Sequence, residues 1–253
     1  MQLTLAHLYP DLMNVYGDRG NIIALRQRCA WRGIELTVRA VSQGTRLDPS
    51  STDIMFFGGG QDREQAAISD DVVTDKGQAI REAVEDGAVV LSVCGGYQLL
   101  GRSYVTVDGQ TLPGVGVFDV ETVPGARRWI GNVVVDTSLD GIARTLVGFE
   151  NHSGTTRLGP GARPLGQVRV GHGNNGEDGT EGAVYRHAYG CYLHGSLLPK
   201  NPWFADHLIA TALRRRYGTG VALEPLDDAL ELTAHQAVIA RAERQRGVRS
   251  GAW

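Results

Sequence analysis

Three groups of residues in this chain have the types and spacing for nucleophilic acyl chemistry. The first is Cys94, which ends the apolar run 88–93 and is followed at once by Gly95 and Gly96. A β-branched apolar run of that length predicts a buried parallel strand. The two glycines predict a sharp turn, and Tyr97-Gln98-Leu99-Leu100 can wind into a helix. A thiol is a good nucleophile only as thiolate, and a helix N-terminus stabilises that form. The same exposed N–H groups can hold the oxyanion formed when a thiolate attacks a carbonyl. This is the strand–nucleophile–helix logic of the serine-hydrolase elbow, carried out with sulfur. The second group is Tyr189-Gly190-Cys191-Tyr192-Leu193-His194-Gly195, a strand that delivers a histidine to its end. Cys94 plus that base would complete a thiol–imidazole dyad. The third is Gly58-Gly59-Gly60, which closes the apolar run 53–57. Cys29 and Cys191 read as small buried hydrophobes. His7, His172, His187, His207 and His235 read as ordinary core or surface residues.

The elements that must position these groups follow from the hydrophobic pattern. Strands are expected at 2–8, 34–41, 53–57 and 88–93, with helices at 21–32 and 72–85. Strands alternating with helices imply an α/β fold, a mostly parallel sheet flanked by helices. In such sheets the ligand site lies beyond the carboxyl ends of the strands, where the triple glycine and Cys94 both fall. After Gly101 the chain turns glycine-rich, with strand candidates at 115–120, 129–136, 146–150 and 183–193. The segment Gly171 to Gly179 reads as an exposed turn or hairpin tip. Helices are expected at 202–217 and 226–246, the second with a charged face. We expect one main domain over 1–218 and a C-terminal helical extension over 219–253, packed on that domain or on a partner. The loop 9–20 is rich in turn formers and reads as surface or as a contact element.

Composition narrows the class. Hydrophobic content of 42% and charged content of 21% are ordinary for a globular chain. A net charge of -3 argues against nucleic-acid binding through a basic surface. Three distant cysteines make no disulfide framework, and a reducing compartment is the simplest setting. No apolar run is long enough to span a bilayer, and no secretory signal is evident. A cytoplasmic chain is therefore expected, with no direct membrane insertion.

The motifs together resemble a known family. Val93-Cys94-Gly95-Gly96-Tyr97-Gln98 resembles the nucleophile motif of class I glutamine amidotransferases, and Phe56 to Asp62 resembles their oxyanion loop. Tyr192-Leu193-His194-Gly195 fits the histidine motif of their cobyric-acid-synthase-like branch. That branch lacks the glutamate found two residues beyond the histidine elsewhere in class I, and Ser196 stands there. The resemblance spans roughly residues 2–218 and implies a flavodoxin-like sheet with a Cys–His dyad. A third, orienting member is either absent or supplied from elsewhere in the chain or partner. The motifs 9–21, Gly58-Gly59-Gly60-Gln61-Asp62 and Gly148 to Gly154 are similar, more narrowly, to the small glutaminase subunits of lipid II isoglutaminyl synthases.

That resemblance implies roles. Cys94 attacks the side-chain amide of L-glutamine, and His194 is the general acid and base. Backbone N–H groups of Gly59 or Gly60, and of Gly95, hold the oxyanion. Gln98 contacts substrate, Asn151 and His152 line the glutamine pocket, and Arg128 grips the α-carboxylate, with Arg127 its rival. His152 is an alternative base. No metal is implied. No G-x-x-x-x-G-K-[ST] is present, so ATP and Mg are expected on a Mur-ligase-like synthetase subunit, in a heterodimer that receives the ammonia. The product would be amidated D-glutamate in the lipid II stem, reached at the inner membrane face. Open alternatives are a cobyrinate-type amidotransferase, a cysteine peptidase of related fold, and a regulatory pseudo-amidotransferase. A metal site from His187, Cys191 and His194 is disfavoured, because Cys191 and His194 would face apart on a strand.

Overall fold

The computed structural model describes residues 1–14 and 17–250. Val15 and Tyr16 of the opening motif and the last residues of the 219–253 extension lie outside it. The first half runs β1 (Gln2–Leu8), α1 (Arg19–Ala30), β2 (Glu35–Val41), β3 (Ile54–Phe57), α2 (Asp62–Asp70), α3 (Gly77–Glu85), β4 (Val89–Val93) and α4 (Gly95–Leu99). Then come β5 (Ser103–Val105), β6 (Thr111–Pro113), β7 (Val120–Leu139), β8 (Ile142–Leu158), β9 (Gly166–Val170) and β10 (Thr180–Glu181). The chain ends with β11 (Ala183–Tyr185), β12 (Ala188–Cys191), α5 (Pro202–Tyr217) and α6 (Ala229–Ser250).

The main sheet has the order β11-β12-β4-β3-β1-β2. It is parallel throughout except for β11, which pairs antiparallel with β12. The fold is therefore α/β, as the alternating pattern predicts. β3 and β4 are buried at every position, which is why they read as continuous apolar runs. Phe56 and Phe57 are fully buried, each worth on the order of 1.5–3 kcal/mol.

The strand order explains where the site must be. The chain goes from β1 to β2 on one side, then crosses to β3 on the other. The connection leaving β1 runs to one side and the connection leaving β3 runs to the other, which opens a crevice at their carboxyl ends. The loop after β1 and the triple glycine after β3 meet there.

The helix expected at 72–85 begins earlier. α2 starts at Asp62, where the Gln61 N–H donates to Glu64 Oε2 at 3.2 Å, a capping-box contact. A π-helical turn, Asp71–Asp75, joins it to α3. Residues 115–119, expected as strand, form a loop before β7. The candidates 129–136 and 146–150 are the inner parts of one long antiparallel hairpin, β7 with β8. That hairpin anchors a second sheet, ordered β10-β9-β7-β5-β6. The run expected at 183–193 is split, because β11 turns back on β12.

The segment 171–179 is a turn with Gly171, Gly176, Glu177 and Asp178 exposed, as expected, but its centre is anchored in the protein. Asn174 and Asn175 are buried. Asn174 Nδ2 donates to the Gly182 carbonyl at 3.0 Å, and Asn175 Nδ2 donates to that of Thr156 at 3.0 Å. Side-chain amides here replace backbone pairing, which a glycine count cannot reveal. α6 lies on the hairpin, where Val134, Val147 and Ala242 form a small separate core. Its His235 is bonded to Thr145 Oγ1 and to the Lys200 carbonyl, both at 2.8 Å.

Candidate active site

Cys94 stands one residue beyond β4, and its N–H donates to the Cys191 carbonyl at 2.8 Å. Its φ of 51° and ψ of -109° lie in a region side chains rarely adopt, at a cost of about 1–3 kcal/mol. The strain turns the thiol out of the sheet toward the crevice. Gly96 makes the turn possible, since a Cβ there would come within 2.5 Å of the Phe57 carbonyl oxygen. The helix that follows is only five residues long. Its macrodipole is correspondingly small, so the thiol needs a base supplied by a side chain.

That side chain is His194. β12 is the parallel neighbour of β4, with Cys191 opposite Val93. Three residues beyond that register, His194 comes close enough to Cys94 for the two side chains to influence each other electrostatically. Its backbone is held by a bridge to Phe149 of β8. Burial disfavours the imidazolium, but Cys94 and the Asp18 carboxylate beside it outweigh that and raise His194 to about 10.

Asp18 is the residue that sequence reasoning missed. It sits at the end of the opening loop with 0% exposure. Its Oδ1 faces His194 Nδ1 at 3.4 Å, and its Oδ2 accepts from the Gly59 N–H at 2.9 Å. One carboxylate thus ties the loop after β1 to the loop after β3 and to the histidine. Ser196, standing where other class I enzymes carry glutamate, donates its hydroxyl to the Gly17 carbonyl at 2.9 Å. Asn21 Oδ1 accepts from the Leu198 N–H at 2.8 Å. The segment after His194 therefore latches the loop that brings Asp18. Of the opening loop, Asp18 and Met13 form a wall of the site, with Met13 buried against Gly58, Gly60 and Gly95.

Cys94 opens into a cavity of about 380 Å³ lined by Gly60, Gln98, Arg128, Asn151 and His152, among others. The structure thus brings together most of the residues expected to bind substrate. Arg128 Nε donates to Asn151 Oδ1 at 2.7 Å. Arg127 stacks instead over the Trp129 ring, 4.3 Å from its centroid, and does not line the cavity. His152 lies parallel to the Tyr192 ring, with centroids 3.7 Å apart, and its Nδ1 meets the Gly154 carbonyl at 2.9 Å. Burial depresses His152 to about 4, so it is neutral and its Nε2 is an acceptor. Gln98 is held at both ends, accepting from Gln65 Nε2 and donating to Tyr192 Oη, each at 3.0 Å. Gly59 is set apart from the other oxyanion candidates, because its N–H is already given to Asp18.

A larger groove, about 900 Å³, runs between the hairpin and α6, but Cys94 is not in its walls. Among the described residues no cluster of three or more His, Cys, Asp or Glu could hold a metal ion. No helix there is long and apolar enough to cross a membrane.

Comparison with known proteins agrees with this geometry. Residues 4–202 match the model of the CobB/CobQ-like glutamine amidotransferase domain. The chain is 42% identical, over 97% of its length and 98% of the relative's, to the lipid II isoglutaminyl synthase (glutamine-hydrolyzing) subunit GatD of Staphylococcus aureus. It is 42% identical to the subunit of the same name from Streptococcus pneumoniae, over 90% of this chain and 87% of that one. Among solved structures, PurLQS from Thermotoga maritima has the same fold, with a TM-score of 0.54 at 13% identity over 77% of this chain and 88% of that one.

Proposed function

The chain belongs to the CobB/CobQ-like glutamine amidotransferases, and from that premise we propose that it is the glutaminase subunit of a lipid II isoglutaminyl synthase. The observation that carries the reading is Cys94 beside His194, with Asp18 facing the imidazole, on a cavity that Arg128 also lines. In this reading His194 takes the thiol proton of Cys94. The thiolate attacks the side-chain carbonyl carbon of L-glutamine, while Arg128 grips the α-carboxylate. The oxyanion is held by the N–H groups of Gly60 and Gly95, each typically worth about 3–4 kcal/mol of transition-state stabilisation. His194 protonates the departing nitrogen, and ammonia leaves a γ-glutamyl thioester on Cys94. His194, now neutral, takes a proton from water. The resulting hydroxide attacks the thioester, releases glutamate and restores the thiolate. Asp18 keeps the imidazole in the tautomer and orientation that both steps need.

The ammonia would pass to a Mur-ligase-like subunit that holds ATP and Mg and amidates the α-carboxyl of D-glutamate in the lipid II stem. Support for this finer reading is the near full-length similarity to two subunits bearing that synthase's name. The test is glutamate release from L-glutamine by the full chain, wild type beside Cys94→Ser, with and without a co-expressed Mur-ligase-like protein. Cys94-dependent release is expected, together with amidated lipid II when the partner and ATP are present. Glutamate release without any lipid II amidation would restrict the assignment to glutaminase. No release in either condition would overturn it.

A further inference from the structure

Gln65, on α2, lines the cavity and has no part in the mechanism above. It is 2% exposed. Its Nε2 donates to the Gly60 carbonyl oxygen at 3.3 Å and to Gln98 Oε1 at 3.0 Å. Both N–H bonds are thereby used, and the Gly60 acceptor fixes which end of the amide carries the oxygen. Gln65 Oε1 is buried with no hydrogen-bond partner among the described residues. Buried acceptors are ordinarily satisfied, so one left without a partner on a residue that lines the nucleophile's cavity requires an explanation. Gln98, by contrast, is partnered at both ends, its oxygen accepting from Gln65 and its nitrogen donating to Tyr192.

We propose that Gln65 Oε1 accepts a hydrogen bond from the α-ammonium of L-glutamine and so selects an α-amino acid amide over an amide without the amino group. The proposal rests on the glutaminase reading. Glutamine carries two donor groups. Its carboxamide nitrogen must face His194, which protonates it as it leaves. The α-ammonium is the donor that remains. It shares a carbon with the carboxylate assigned to Arg128, and Gln65 and Arg128 line the same cavity. The position is built rather than incidental, since a Cβ on Gly95 would come within 3.0 Å of Gln65 Nε2. A site with a buried acceptor also rejects a substrate that lacks the matching donor, because the acceptor then stays unpaired.

The experiment compares hydrolysis of L-glutamine and 4-carbamoylbutanoate, which is glutamine without its amino group, by the full chain co-purified with its synthetase. The proteins are wild type, Gln65→Leu and Gln65→Glu. Wild type is expected to prefer L-glutamine by about 100-fold or more in kcat/KM. Gln65→Leu should raise KM for glutamine about tenfold with kcat within about threefold, and should cut the preference by about tenfold or more. Gln65→Glu keeps an acceptor and should keep the preference. A merely structural role would depress both substrates in equal proportion, and an unchanged preference in Gln65→Leu overturns the proposal. Should Gln65→Leu fail to fold, loss of the preference in Gln65→Glu overturns it and retention supports it. Wild type that hydrolyses neither substrate overturns the glutaminase reading and this proposal with it. Wild type that hydrolyses both equally overturns this proposal alone.

Discussion

The two sides of the cavity solve opposite electrostatic problems with similar parts. On one side His194, 2% exposed, is cationic; on the other His152, 3% exposed, is neutral. Burial pushes both toward the neutral form, so burial does not distinguish them. Asp18 and Cys94 do, because they face His194, whereas His152 meets a backbone carbonyl and the Tyr192 ring and is pushed further down by nearby charges, Arg128 among them. The charged side can move protons. The neutral side, with His152, Asn151 and Gln65, offers dipoles that can read a substrate without titrating. Separating the two jobs lets the pH response of catalysis be set on one side and recognition stay constant on the other.

The sharpest way to break this comparison is Asp18→Asn. The amide keeps the volume but removes the charge and disturbs the tautomer of His194. We expect kcat for glutamine hydrolysis to fall about 10²–10⁴-fold, with KM within about threefold. The alkaline limb of the kcat profile should also move down, since one of the causes that raise His194 is gone. An unchanged rate and profile would show that the dyad works without a carboxylate. Arg128→Leu probes the other side and should leave kcat nearly intact. Loss of a charged hydrogen bond costs about 1.5–3 kcal/mol, so KM should rise about 10- to 100-fold. Steady-state kinetics decides, and a kcat effect without a KM effect would move Arg128 out of substrate binding.

The same contrast shows what could be read from the residues alone. The strand, turn and helix at Cys94 are local, so apolar run, cysteine and glycines sit side by side in the chain. His194 was legible for the same reason. Arg128 over Arg127 needed the hairpin, because only pairing between β7 and β8 brings one of them to Asn151. Asp18 was hidden more deeply. It lies in a run of turn formers, and its partners, Gly59 and His194, are brought to it by the crossing of connections around β1. The available signal was Ser196, a missing glutamate that called for a carboxylate from another element. The segment 171–179 was legible only as a turn, because glycine and asparagine announce one equally well when the asparagines face inward. Gln65 and Glu181 carried no sequence signal, since burial of a polar side chain is decided by packing.

His152→Phe tests whether the neutral side is truly neutral. Phenylalanine keeps a ring beside Tyr192 but removes Nε2, and KM for glutamine should rise about tenfold with little change in kcat. The folded-state value of about 4 lies below the unfolded value of 6.5. Between those pH values the unfolded chain binds more protons, so the wild type loses stability as pH falls from 6.5 toward 4. His152→Phe should therefore gain on wild type in thermal melts at pH 4.5 relative to pH 8. A constant difference between the two pH values would mean that His152 titrates in the fold as it does in the unfolded chain.

The smallest effect is expected at Glu181, which lies fully buried behind the site. Burial raises its carboxyl to about 8, against a partly compensating hydrogen bond from the Tyr192 N–H, which meets Oε1 at 2.6 Å. Its folded value is thus above the unfolded 4.5, so its contribution to stability is present in full below that pH and is lost as pH rises through 8. Glu181→Gln mimics the protonated acid, keeps the acceptor for Tyr192 and has no charge to bury. At pH 5 the variant should melt within a few degrees of wild type. At pH 8.5 it should be the more stable of the two. Activity at neutral pH should stay within about twofold, because Glu181 touches the strand that carries His194 and not the reacting atoms. If instead the variant is equally displaced from wild type at both pH values, the carboxylate is ionised in the fold. The charged side of the cavity would then extend one strand deeper than Asp18 and Cys94 alone require.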